Sequence, residues 1–208
     1  MNNDQTLESR LNYLEKSKDA WIEVTQEMLK ADRGNFFPLD LFVLGLIKRS
    51  ILLTKGFCGL IRERNFSSAA PLVRLHLDNL LNMHAAFIVS DPHDFAIKKM
   101  QGKQTNKIKD KNGVEMTDGH LARSLSEQEE SKWAFNVYKE TSKFVHSSNK
   151  HIFSTVQEVK GRNFQFVISD EQNIPEEKSL EAINAMISIT EQLFRHIYGW
   201  IQAKDKKS

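Results

Sequence analysis

Residues 67–90, SSAAPLVRLHLDNLLNMHAAFIVS, constrain this chain more than any other stretch. Apolar side chains run almost all the way round the helix they predict, so that helix belongs inside a bundle with neighbours on several sides. Arg74, Asp78 and Asn82 interrupt it at intervals of four residues, which aligns them in one stripe. Such a stripe is either the helix's single wet face or a buried polar network, and a buried network needs partners and often marks a site.

The rest of the chain supplies the neighbours. Over 6–31, Leu7, Leu11, Leu14, Trp21, Val24 and Met28 recur at helical spacing with charges between them, and Asp32-Arg33-Gly34-Asn35 ends the helix. A second helix is predicted over 38–65, opening on Pro38. Lys48, Lys55 and Arg62 mark its exposed side, and Arg49 is placed to face inward. Gly45, Gly56 and Gly59 share another side with Leu52: three tolerated glycines, or a smooth strip for another backbone within the fold or across a homodimer. Residues 41–47 are its longest charge-free run before Lys48 and Arg49, too short for a membrane span, so this is a core helix and no membrane is expected. The third helix, 68–90, takes Ser67 or Ser68 as its cap and tolerates Pro71 in the first turn. Asp91 caps a short fourth helix over 92–101, with Pro92 at its first position.

Residues 102–119 have no steady apolar period, contain the turn dipeptide Asn112-Gly113, and read as a mobile loop. Lys98, Lys99, Lys103, Lys107, Lys109 and Lys111 meet one acid, Asp110, in this region. Such a run can contact the phosphates of an RNA, although no aromatic is interleaved to stack bases; a solvated loop is the plainer reading. Ser126-Glu127-Gln128-Glu129 has the form of a capping box and predicts a fifth helix over 127–151, on which Tyr138, Ser142 and His146 form a second polar stripe. STVQEV and FQFVIS, joined by Lys160-Gly161-Arg162-Asn163, predict a hairpin over 153–168. The last helix, 175–204, has a buried face of Leu180, Ile183, Ile187, Phe194, Ile197 and Ile201, with a tail from Lys204 that should fray. The expected fold is a mainly all-α, single-domain bundle of five to six helices with one small β-hairpin before the C-terminal helix.

Composition excludes more than it assigns. With 29 basic and 27 acidic residues, global charge selects no polyanionic partner, so only a local patch can. Cys58, the single cysteine, leaves no internal disulfide and fits a cytoplasmic location, as does an opening MNNDQTLESR without signal-peptide character. No two of the seven histidines form an H-x-x-x-H pair, and His146 and His151 diverge by about 140° on a helix, so neither a metal nor another cofactor is expected. The glycine patterns of nucleotide-binding loops and the G-x-S-x-G elbow are absent. The two stripes remain. Arg74 can hold a carboxylate or phosphate through its planar fork, Asp78 can fix that fork, and His146 can move protons near neutral pH. If the third and fifth helices pack side by side, Arg74, Asp78, Tyr138, Ser142 and His146 converge as a ligand site, with Arg74 and His146 as a catalytic pair. The structural alternative is a satisfied network: Arg74 with Asp78, His146 on a backbone carbonyl and Ser142 bonded back into its own helix.

The same two segments carry a resemblance. SSAAPLVRLHLD, with Arg74 and Asp78, resembles the S-A-x-x-L-x-R-x-x-x-[DE] helix of a bacterial all-helical domain-of-unknown-function family, and YKETSKFVHSS, from Tyr138 to Ser148, resembles its Y-x-x-x-S-x-[YF]-V-H motif. That family is similar in outline to the HEPN superfamily of helical nucleic-acid and defence proteins. The superfamily's ribonucleases carry an arginine and, four to six residues later, a histidine on one helix. Here Arg74 is followed by His76 and Arg195 by His196, so such chemistry would need Arg74 and His146 to meet in space. The expectation is a non-enzymatic helical module that binds a partner or itself in a bacterial regulatory or defence setting. The alternatives are a metal-independent ribonuclease using Arg74 and His146, and a pocket for a small anionic ligand at Arg74.

Overall fold

A computed structural model describes residues 6–145, 156–160, 163–166 and 174–206. In chain order these form α1 (Leu7–Lys30), α2 (Pro38–Arg62), α3 (Phe66–Ile88), α4 (Pro92–Met100), α5 (Asp118–Ser126), α6 (Ala134–Val145), β1 (Val156–Lys160), β2 (Asn163–Phe166) and α7 (Glu176–Asp205). The architecture is all-α, with α3 at its centre: α2, α4, α5, α6 and α7 all pack on it, and α1 closes against α2 and α7. The apolar circumference of α3 explains this placement, because Val73, Leu77, Leu80, Leu81 and Met83 are all buried and do not share a single face. No described helix is long and apolar enough to cross a membrane. Cys58 is buried in the core, where burial pushes its thiol up to about 12.

Local chemistry sets the helix ends. Thr6 caps α1, its hydroxyl accepting from the Ser9 N–H. The chain leaves α1 through Asp32, Arg33 and Gly34, all at positive φ, a left-handed run that only the glycine adopts without strain. Asp91 caps α4 as expected, accepting from the His93 and Asp94 N–H groups. Asn65, rather than Ser67 or Ser68, caps α3 through a 3.2 Å bond from the Ser68 N–H. Pro71 therefore lies in the second turn of α3, not the first.

Three further expectations need correction. The capping-box pattern at 126–129 does not open a helix. Ser126 ends α5, which Thr117 caps, and a 3-10 turn at Glu129–Ser131 separates it from α6. Two pieces replace one because Leu121, Ala122 and Leu125 already give residues 118–126 a buried face. The expected 102–119 loop is built rather than loose: Ile108 and Met116 are buried, and the Asp110 carboxylate accepts from the Asn112 and Val114 N–H groups. Of the two readings of the α2 glycines, the described residues favour tolerance within the chain: Gly45 and Gly59 meet no atom among them, and Gly56 sits against the Leu72 side chain. Lys204 does not fray. Its ammonium is wholly buried, 3.0 Å from Asp40 and 2.8 Å from the Met28 carbonyl. Asp40 also accepts from Trp200 Nε1 and the Phe37 N–H, so one ion pair ties together the end of α1, the start of α2 and the end of α7. Of the hairpin expected over 153–168, residues 153–155, 161–162 and 167–168 lie outside the described residues; within the rest β1 and β2 pair antiparallel, with Lys160 opposite Asn163.

Candidate functional site

The stripe of α3 is half-buried, and its charges are paired. The Arg74 side chain is only 11% exposed, and its fork is divided between two carboxylates: Nη1 to Asp78 at 3.0 Å and Nη2 to Asp118 of α5 at 2.5 Å. The guanidinium lies over the Tyr138 ring of α6, 5.0 Å from its centroid. The two expected helices therefore do pack together, and Arg74, Asp78 and Tyr138 meet. Ser142 bonds back to the Tyr138 carbonyl at 2.7 Å, within its own helix. His146 lies outside the described residues. Asn82 extends the stripe by accepting from Thr105, whose hydroxyl accepts in turn from Lys99 Nζ at 2.8 Å. Burial pushes the Lys99 ammonium below its ordinary value, against the pull of Asp78 and Asp118.

This arrangement couples α3, α4, α5 and α6 through two cations and two carboxylates. An anionic ligand at Arg74 would have to displace Asp78 or Asp118 from a guanidinium they already neutralise. Asp118, Lys99 and Thr105 escaped sequence reasoning because nothing in spacing links them to Arg74. The one available signal was Thr117-Asp118 ahead of Leu121 and Leu125, a helix start.

Two further polar clusters are internal. Arg49 does face inward, donating to Asn79 at 2.6 Å, while His76 meets Thr190 at 2.9 Å. Burial, reinforced by Arg49, lowers His76 to about 3. His84 and His196 lie 3.4 Å apart between α3 and α7. The Gln192 carbonyl can only accept, so His196 Nδ1 carries the proton there and His196 Nε2 is left to accept from His84. Ser124 completes the chain on His84 Nε2, and burial lowers His84 to about 4. Among the described residues no group of three or more His, Cys, Asp or Glu side chains could hold a metal ion.

The open chemistry lies on the outside, at the lysine run. From Lys107 to Lys111, exposed lysines alternate with buried Ile108 and Asp110: Lys107 ends a 3-10 turn over Thr105–Lys107, Lys109 forms an isolated bridge, and Lys111 opens the turn that follows. That segment is pinned beneath. The Lys111 N–H bonds the Ile88 carbonyl at the end of α3, Lys109 bridges Glu115, and Asp110 binds His120 at 3.1 Å. Burial works to raise the Asp110 carboxyl, but the Val114 and Asn112 N–H groups and the His120 ring together hold it below its usual value. Lys98 pairs with Asp94, whereas Lys103, Lys107, Lys109 and Lys111 have no carboxylate partner among the described residues. Lys98, Lys103, Lys107 and Lys109 border a cleft of about 390 Å³, with Asp91 and Asp94 on its rim. No family model matches this chain, and neither a curated protein nor a solved structure shows significant similarity to it.

Proposed function

We propose that this chain is a non-catalytic helical binding module that holds the phosphates of a single-stranded RNA along Lys107, Lys109 and Lys111. The observation that carries the reading is the alternation of exposed lysines with buried Ile108 and Asp110, on a segment fixed to α3 and α5. Without aromatic platforms in the run, the contact reads charge and not sequence.

Saturation of Arg74 by two carboxylates supports a structural role for the α3 stripe and weighs against its use as an anion receptor. The ribonuclease alternative is tested in the same tube. Incubated with a labelled single-stranded RNA, the protein retards the RNA and leaves it intact. Replacing Lys107, Lys109 and Lys111 by glutamine weakens the retardation. RNA cleavage that disappears in a His146→Ala variant would overturn the reading in favour of catalysis.

A further inference from the structure

Buried polar groups almost always have partners, so those that lack them call for an explanation. Trp21 and Thr54, 0% and 4% exposed, carry an indole N–H and a hydroxyl with no hydrogen-bond partner among the described residues. Both line one cleft of about 430 Å³ between α1 and α2. The other two indoles are satisfied: Trp133 donates to the Glu130 carbonyl and Trp200 to Asp40. Two other buried hydroxyls on α-helices bond back one turn, Ser50 to Leu46 and Thr141 to Val137; Thr54 does not.

The rest of the cleft indicates what would engage these donors. Leu14, Ile51 and Leu52 supply apolar wall, and Leu52 stands 60% exposed at its edge. Lys18 and Lys55 are exposed cations in the lining, without a carboxylate partner among the described residues. The Glu15 carboxylate on the same wall is taken by Arg62 at 2.6 Å, so it does not neutralise them. Two buried donors, two unpaired ammonium groups and an apolar wall suit one ligand chemistry: an oxyanion attached to an apolar body.

We propose that the cleft between α1 and α2 binds a small carboxylic acid with an apolar body. Its carboxylate accepts from Trp21 Nε1 and Thr54 Oγ1 and draws Lys18 and Lys55 over it, while its body lies on Leu14, Ile51 and Leu52. This site is independent of the lysine run near α4.

Octanoate titrated into the nitrogen-15-labelled full chain tests it. The Trp21 indole cross-peak, identified by its loss in Trp21→Phe, moves downfield and saturates, while the Trp133 and Trp200 peaks hold still. Thr54→Val, which removes an unpartnered hydroxyl at nearly constant shape, weakens octanoate binding about tenfold without lowering thermal stability. Lys18→Gln weakens it as well, and Lys18→Gln with Lys55→Gln weakens it further. The proposal fails if the Trp21 peak does not move with octanoate, if inorganic phosphate or octanol moves it equally well, or if Thr54→Val binds as the parent does. A Trp21 peak already downfield without ligand, exchanging with solvent and indifferent to octanoate, would assign the donors to bound water instead.

Discussion

At the scale of single residues, the interior is decided by charges that are paired before they are buried. Lys204 is the strongest case. Removing one partner of a wholly buried ion pair strands the other, so Lys204→Met should destabilise the fold by about 3–5 kcal/mol in urea unfolding. Arg74→Met should cost about 2 kcal/mol, since Asp78 and Asp118 are partly exposed and can rehydrate, and it should leave RNA affinity unchanged. Acid should act through the histidines. His84 is held to about 4, below the ordinary histidine value near 6.5, so the folded state binds fewer protons than the unfolded chain between those limits. Stability is full above about pH 6.5 and is lost as pH falls toward 4, by roughly 3 kcal/mol from His84 alone. Unfolding midpoints measured across that range should fall with acid, and His84→Gln should flatten the curve. The i,i+4 rule made the Arg74–Asp78 pair legible from sequence, and it also exposed the back-bonding of Ser142. Asp118 and Asp40 were invisible as partners, because long-range pairing leaves no trace in local spacing.

At the scale of elements, periodicity located the long helices and capping chemistry misled twice, at Ser67 or Ser68 and at Ser126. Ser126 illustrates both. It ends α5 with its hydroxyl on the Ala122 carbonyl, and that same oxygen accepts the Phe135 N–H at the start of α6. A serine read as the cap of the helix immediately after it is thus the cap of a helix nine residues on. Ser126→Ala should cost about 1 kcal/mol, with faster amide exchange in the first turn of α6. The lysine segment shows the same limit. Its order comes from Ile108, Asp110 and Met116 reaching the core, and two apolar positions in a polar run were too few to reveal it in advance. The α2 glycines left two readings open, and geometry was needed to choose: Gly45 and Gly59 meet nothing among the described residues.

At the scale of the whole molecule, one central helix serves neighbours of different kinds. Its apolar circumference gathers five helices, its polar stripe is consumed in bracing α4, α5 and α6, and its final carbonyls anchor the lysine segment. The central position of α3 followed from the sequence, because a helix apolar on every side has nowhere else to go. That its stripe is spent inside the fold, leaving interaction to the periphery, required the geometry of Asp118 and Lys99. The central claim is that binding runs through three outward lysines, and the salt dependence of RNA affinity measures it most directly. For a single strand, each phosphate contact adds about 0.7 to the slope of log affinity against log salt. Fluorescence anisotropy with a labelled single-stranded RNA should therefore give a slope shallower by about 2 when Lys107, Lys109 and Lys111 are glutamine. An unchanged slope, or a parent protein that binds no RNA at low salt, would contradict the account.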